Sequence, residues 1–351
     1  MRKISITPEI EKLVDNEYKT AIHQSTFHQK IVNELTNLIN VFSTATTIEI
    51  NRGTKRNPIW RLSPSSAANY VSYVNEILSD YQNGDLLTCQ PKDFSAMIFH
   101  KDLLVNHTIV NLDMRLNRTP GASLATRLVN ALRYDDVRKK IVPIIYRKLE
   151  LKTCVYCNAN YTISDEKGEG YYDLDHWKPK SHYPFLCISF FNLQPSCPSC
   201  NKRKSDSDLA FFGLWDDIGY GELDVLRFKL DERSLVNYLV FLDRDKLEIN
   251  LIEADPTNQS QQEIKTNTEN KFHINSRYKE HRDFTEEIVW KCKIYNASMI
   301  KSLRASKFSA LIPNPLDLQR FIIGTYADPD DIHKRPLTRL AIDVAKQLGL
   351  I

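Results

Sequence analysis

The sequence predicts a mainly helical protein with a small, strand-containing central unit and little other β structure. Three observations carry this. Apolar residues recur at three- and four-residue steps over stretches at both ends of the chain, the period of a helix with one buried face. Strand-like alternation is confined to short pieces. Between the helical ends, Cys154-Val-Tyr-Cys157 and Cys197-Pro-Ser-Cys200 bracket a segment carrying acids, asparagines and a histidine. The expected organisation is a helical region over 1–150, a cysteine-bracketed unit over 151–212 and a mostly helical region over 213–351.

Taken in order, Thr7-Pro8 offers an N-cap followed by proline at the first helical position, and Phe27, Ile31, Leu35, Leu38 and Phe42 form the stripe of a helix over 7–43. Residues 46–53 read as a short extended piece. The loop after it carries Arg52, Lys55, Arg56 and Arg61, which either meet a phosphate backbone or are simply solvated. Ser63-Pro64 opens a helix with Val71, Val74, Leu78 and Tyr81 on one side, stopped at Asn83-Gly84. A less regular region around Thr119-Pro120-Gly121 precedes helices over 124–134 and from 135 to about 149. The basic residues of that span, Arg127, Arg133, Arg138, Lys139, Lys140, Arg147, Lys148 and Lys152, outnumber Asp135, Asp136 and Glu150. They extend a basic surface around the centre or form a plain solvated face.

Beyond residue 206, the pieces 225–230 and 247–252 read as strands, and the polar stretch 255–268 as a loop. A long helix is expected over 277–303, with Ile288, Cys292, Tyr295, Met299 and Leu303 buried, then two last helices over 317–326 and 336–348. Asp328-Pro329-Asp330-Asp331 reads as turn and capping chemistry, because the spaced oxygens of a calcium loop are missing.

With 351 residues, 42% apolar and 26% charged, the chain can bury more than one core. No run reaches the roughly 20 apolar residues of a membrane helix, and no signal core follows Met1 to Ser5, so a soluble, cytoplasmic protein is expected. In that reducing compartment seven cysteines argue against disulfides; Cys89, Cys187 and Cys292 read as buried hydrophobes. A net charge of +3 identifies no partner. Locally, however, Lys178, Lys180, Lys202, Arg203 and Lys204 face only Asp206 over 176–206.

The two CxxC pairs, Cys154/Cys157 and Cys197/Cys200, have the spacing that lets four thiolates share one zinc at about 2.3 Å. Four sulfurs leave no open coordination position, so the zinc is expected to be structural. Between them, Asp173-Leu174-Asp175-His176 reads as a strand end that Trp177-Lys178-Pro179 turns into a loop. Asn201, directly after the last cysteine, would stand in the first turn of a helix. An isolated Asp-His pair is ordinarily a core or surface pair. Each lysine is by itself a solvated residue or a phosphate contact, and the same holds for His182.

This order of motifs resembles the zinc-braced branch of the HNH, or ββα-metal, nuclease family. The resemblance covers 154–206. It implies that His176 is the general base, that Asp175 and Asn201 ligate a catalytic Mg²⁺ or Mn²⁺, and that Asn192 holds the intervening loop against the histidine. Lys178, Lys180, His182, Lys202 and Lys204 become candidate phosphate contacts, and Asp173 a support for the ion or for His176. The physical chemistry agrees: a hard ion with oxygen ligands polarises a phosphate while a neutral imidazole deprotonates water. DNA is the expected substrate, with RNA not excluded. The wording from Asp175 to Leu186, with Phe191-Asn192-Leu193-Gln194-Pro195-Ser196-Cys197, is also similar to HNH subunits of antiphage systems such as Septu and some retrons, in which the nuclease works beside an ATPase. Two other readings stand beside this one: a non-catalytic zinc-ribbon module that binds nucleic acid or protein, and an RNA-cleaving HNH toxin.

Overall fold

The computed structural model describes residues 1–54, 56–62, 67–216, 223–306 and 308–351. The expected cap at Ser63-Pro64, Lys55 and the side chain of Arg61 lie outside the described residues. The protein is mostly helical, with several short sheets.

At the N-terminal end, His28–Thr44 buries Ile31, Leu35 and Phe42 against Ala67–Asn83, which presents Tyr70, Tyr73, Val74, Ile77 and Tyr81. Phe42 stacks on Tyr70 with ring centroids 5.3 Å apart. The helix expected over 7–43 is divided: Pro8–Leu13, capped by Thr7, runs through a π-helical Val14–Lys19 to His23, and a turn precedes His28. That early segment buries Tyr18, whose hydroxyl donates to the Ile188 carbonyl at 2.8 Å and so docks it on the central unit.

Gly84 closes the next helix at φ +89°, a conformation glycine adopts without a Cβ penalty. The region read as irregular holds the Pro91–Leu104 helix, which buries only Phe94 and Lys101 and therefore shows little apolar period. An antiparallel sheet orders Trp60–Leu62, Ile48–Asn51, Met114–Leu116 and Thr119–Gly121. Its last hairpin turns through Asn117 and Arg118, both at positive φ, as a tight turn between twisted strands requires. Three helices follow, Leu124–Ala131, Tyr134–Lys140 and Val142–Lys148. The single helix expected over 135–149 breaks at Ile141 because Pro143, without an N–H, sits at the start of a new one.

After residue 223, Leu226–Leu230 pairs antiparallel with Ile249–Glu253, as the alternation predicts. The Thr338–Gln347 helix covers this ribbon: Asp343 accepts from the Phe228 N–H at 2.8 Å and Gln347 from the Leu230 N–H at 2.9 Å. The stretch read as a loop over 255–268 is corrected to the Gln259–Phe272 helix, capped by Asn258. It buries Gln261 and Thr268 beside Phe272, so its inward face is polar and carries no apolar stripe. The long helix expected over 277–303 is likewise three pieces, Ile274–Tyr278, Arg282–Ile294 and Ala297–Ala305, with Asn296 capping the last and Met299 exposed. Asp328 accepts from the Asp330 N–H, the turn chemistry expected there. Among the described residues no helix is long and apolar enough to cross a membrane.

At the centre, Asp173–His176 pairs antiparallel with Leu193–Ser196, Asp175 opposite Gln194 and His176 opposite Leu193. The Pro198–Lys204 helix follows directly and packs on the first strand. Residues 211–214 pack against the second strand, the Leu214 N–H donating to Gln194 Oε1 at 3.1 Å. At Gly213 a Cβ would lie 2.8 Å from the Trp177 ring, so only glycine lets the indole seat there and donate to the Phe211 carbonyl at 3.1 Å.

Candidate metal centre and cleft

All four paired cysteines are buried, and their sulfurs lie within 4.8 Å of one another. A tetrahedral tetrathiolate zinc site places its sulfurs about 3.8 Å apart, so the set fits one zinc ion. The surroundings fit too. Asn160 Nδ2 donates to the sulfurs of Cys157 and Cys197 at 3.6 and 3.5 Å, and Arg277 Nη1 approaches the sulfur of Cys200 at 3.2 Å. Such donors offset the surplus negative charge of four thiolates on one dication. The first knuckle is tied to distant segments. Tyr278 donates to the Cys157 carbonyl. Asn158, at φ +48°, donates to the Ile332 carbonyl at 2.8 Å and accepts from the Arg339 N–H at 2.9 Å. Cys89, Cys187 and Cys292 stand apart; burial pushes the first two thiols up to about 12 and the third to about 11.

Beside the cysteines a cleft of about 410 Å³ runs between the Asp173–His176 strand and the Tyr134–Lys140 helix. Asp173, Asp175, His176, Lys180, Asn201 and Lys202 line it together with Tyr134 and Arg138. His176 is nearly inaccessible, and its Nε2 lies 3.0 Å from the Cys187 carbonyl oxygen. A carbonyl only accepts, so Nε2 carries the proton and Nδ1 keeps its lone pair. Burial, helped by the charges of Lys180 and Lys204, pushes this imidazole down to about 3 from its ordinary 6.5. Its ring packs against Tyr134 at a centroid distance of 4.9 Å, and the Tyr134 hydroxyl donates to the Leu174 carbonyl at 3.2 Å.

Strand alternation puts Asp173 and Asp175 on one side, facing the Pro198–Lys204 helix. There, Asn201 and Lys204 share a helical face three residues apart. Asn201 Nδ2 donates to Asp173 at 3.0 Å, and the Lys204 ammonium lies 3.2 Å from Asp175 and donates to the His176 carbonyl at 2.7 Å. Tyr156 donates to the same Asp175 carboxylate and is itself held by Gln194. Burial pushes the Asp175 carboxyl upward, against the pull of Lys204 and Tyr156.

The remaining candidates fall elsewhere. Lys204 is fully buried beneath Asp175 rather than on a substrate-facing surface. Lys178 lies 3.9 Å from Asp208, and His182 packs near His107 and Tyr183; neither lines the cleft. Asn192 is buried and pins the loop, accepting from the Lys178 N–H at 2.7 Å and donating to the Lys178 and Leu186 carbonyls at 3.0 Å each. Among the basic residues before the first knuckle, Arg133 and Lys140 pair with Asp136, Arg147 with Glu166 and Lys148 with Glu17. Of these basic residues Arg138 lines the cleft, beside Tyr134. Sequence reasoning missed Tyr134, Tyr156, Asn160 and Arg277. Asn160, three residues after Cys157, was within reach of motif reading, whereas Arg277 carries no local signal.

Fold and centre together define a mostly helical protein around a strand–strand–helix unit pinned by a four-cysteine cluster that can hold zinc. Over 70 residues, 20% of this chain and 26% of the relative, the sequence is 33% identical to the Septu protein PtuB of Bacillus thuringiensis. The chain thus spans about a quarter of the curated relative it matches. No protein-family profile matches, and no solved structure matches.

Proposed function

We propose that this chain is an HNH endonuclease that hydrolyses phosphodiester bonds of DNA, with the ββα-metal module within 151–212 and helical regions over 1–150 and 213–351. The observation that carries the reading is the histidine: the Cys187 carbonyl fixes its Nε2 proton, leaving Nδ1 as a base at a cleft that also holds an acid, an amide and cations. His176 takes the proton of the attacking water. Asp175 and Asn201 would hold a divalent ion, Mg²⁺ or Mn²⁺. Their donor chemistry fits, since an acid and an amide offer hard oxygens and leave the other positions to water and phosphate. Among the described residues the four cysteines are the one group of three or more His, Cys, Asp or Glu ligands, so such an ion would rest on these two. When bound, the ion polarises the phosphate and neutralises developing charge. Asn192 positions the loop, and Lys180 and Lys202 attract the backbone.

Similarity to PtuB supports a place in antiphage defence beside an ATPase subunit; a cytoplasmic site of action is part of the same proposal. The test is plasmid cleavage by the zinc-loaded protein with Mg²⁺ and in Mg²⁺-free buffer without a chelator. His176→Ala is expected to abolish Mg²⁺-dependent cleavage while leaving zinc content and fold intact. Equal cleavage by the variant sinks the assignment, and a zinc-loaded protein that binds but never cuts with its ATPase present favours the non-catalytic module.

A further inference from the structure

The cleft has a second wall that does not belong to the cysteine-bracketed unit. It is built on Tyr134, the first residue of the Tyr134–Lys140 helix. That ring is locked from behind by its hydroxyl bond to Leu174 and by its packing on His176. Two cations lean on it. Lys180 Nζ stands 4.1 Å from the ring centroid and the Arg138 guanidinium carbon 5.9 Å from it, and both side chains line the cleft.

Neither cation is neutralised in the way a structural charge would be. Lys180 is half-buried, and among the described residues no carboxylate contacts it, Asp135 and Asp175 acting on it only at longer range; burial lowers its pKa. Among the described residues the one carboxylate that contacts Arg138 is Asp135, in an exposed pair at 3.4 Å, the kind of surface pair that an incoming anion readily replaces. A half-buried lysine with no contacting carboxylate among the described residues, an arginine with a dispensable one and an aromatic floor make a seat for a tetrahedral oxyanion.

We propose that Arg138 and Lys180, held on Tyr134, form a phosphate seat that takes a backbone phosphate of the nucleic-acid substrate across the cleft from Asp175 and Asn201. The proposal rests on the nuclease reading, and it assigns the helical region before residue 150 a direct part in substrate binding. Because the seat reads phosphate and not base, it contributes affinity without sequence preference.

The experiment uses the full zinc-loaded chain with His176 retained, in buffer free of Mg²⁺ and Mn²⁺ and without a chelator, so that the structural zinc and the packing on Tyr134 stay while the catalytic ion and cutting are absent. Binding of two fluorescein-labelled DNA oligonucleotides of unrelated sequence is followed by anisotropy over a range of salt. Arg138→Ala is expected to weaken both about tenfold and to lower the slope of log Kd against log salt by about 1. Arg138→Lys should retain most of that slope. Lys139→Ala, on the same helix but outside the cleft, should leave both quantities unchanged. Arg138 is exposed, so its truncation is tolerated by the fold, and circular dichroism checks this. Equal effects of Arg138→Ala and Lys139→Ala overturn the seat. If the seat's signature is present but the otherwise unmutated protein never cuts, the nuclease reading fails and the seat stands. If cutting depends on His176 while Arg138→Ala leaves the slope unchanged, the seat alone fails.

Discussion

Replacing Lys204 separates an architectural role from a substrate-binding one. Its ammonium is inaccessible, 3.2 Å from Asp175 and 2.7 Å from the His176 carbonyl. In Lys204→Met the Asp175 carboxylate, 5% exposed, keeps the Tyr156 hydroxyl and the His176 N–H but loses its cation, and the His176 carbonyl loses its donor. Breaking one partner of a buried ion pair costs about 3–5 kcal/mol, most of it the uncompensated charge. Removing that charge as well, in Lys204→Met/Asp175→Asn, should recover about 2–3 kcal/mol, because the penalty belongs to the pair. Urea unfolding of the zinc-loaded protein, followed by tryptophan fluorescence, gives all four corners of the cycle. A single-variant loss below about 1 kcal/mol, additive with Asp175→Asn, refutes the reasoning. So does a Lys204→Met protein of native stability that has lost only DNA affinity.

Zinc removal is expected to unfold the centre rather than to slow a reaction: Cys154→Ser should lower zinc stoichiometry and the melting temperature together, as read by atomic absorption and calorimetry. An unchanged melting temperature in a zinc-free protein contradicts that. His333 is a pH probe. It is buried, with Nε2 donating to the Arg2 carbonyl at 2.8 Å and Nδ1 buried without a partner among the described residues, and burial pushes it down to about 4 from 6.5. The unfolded chain takes the proton first, so this contribution is complete above the ordinary value and is lost as pH falls toward 4. The loss between pH 7 and pH 5 is about 2 kcal/mol, visible in urea midpoints, and His333→Gln should flatten it. Parallel pH profiles for the two proteins count against the assignment.

The cysteine pairs and the strand that ends in Asp175-His176 were legible because their chemistry is local: spacing of two residues and alternation along one strand. The Gln259–Phe272 helix was not, since its buried face is Gln261, Thr268 and Phe272, and hydrophobic period is blind to a polar inward stripe. Its N-cap, Asn258, was the available signal. Asn296 was a similar signal inside the helix read as continuous. The position of Lys204 was half legible. Three residues after Asn201 it had to share that face, but its composition suggested the surface. The contribution of Arg138 depends on a helix that meets the central strand only in three dimensions, so sequence spacing is silent on it.

The ties between Asn158 and the Ile332–Arg339 segment set a schedule for making the protein. Both CxxC pairs have left the ribosome once the chain is somewhat past Cys200, yet Arg277, Tyr278 and Arg339, which secure the centre, are not yet made. At about 5–20 residues per second, that gap is on the order of ten seconds of translation. Throughout it, the four nascent thiols lack their covering elements and are open to oxidation or to the wrong metal. Zinc supplied during synthesis should therefore give a higher zinc stoichiometry than zinc added after it, a difference that translation in a zinc-depleted extract would read.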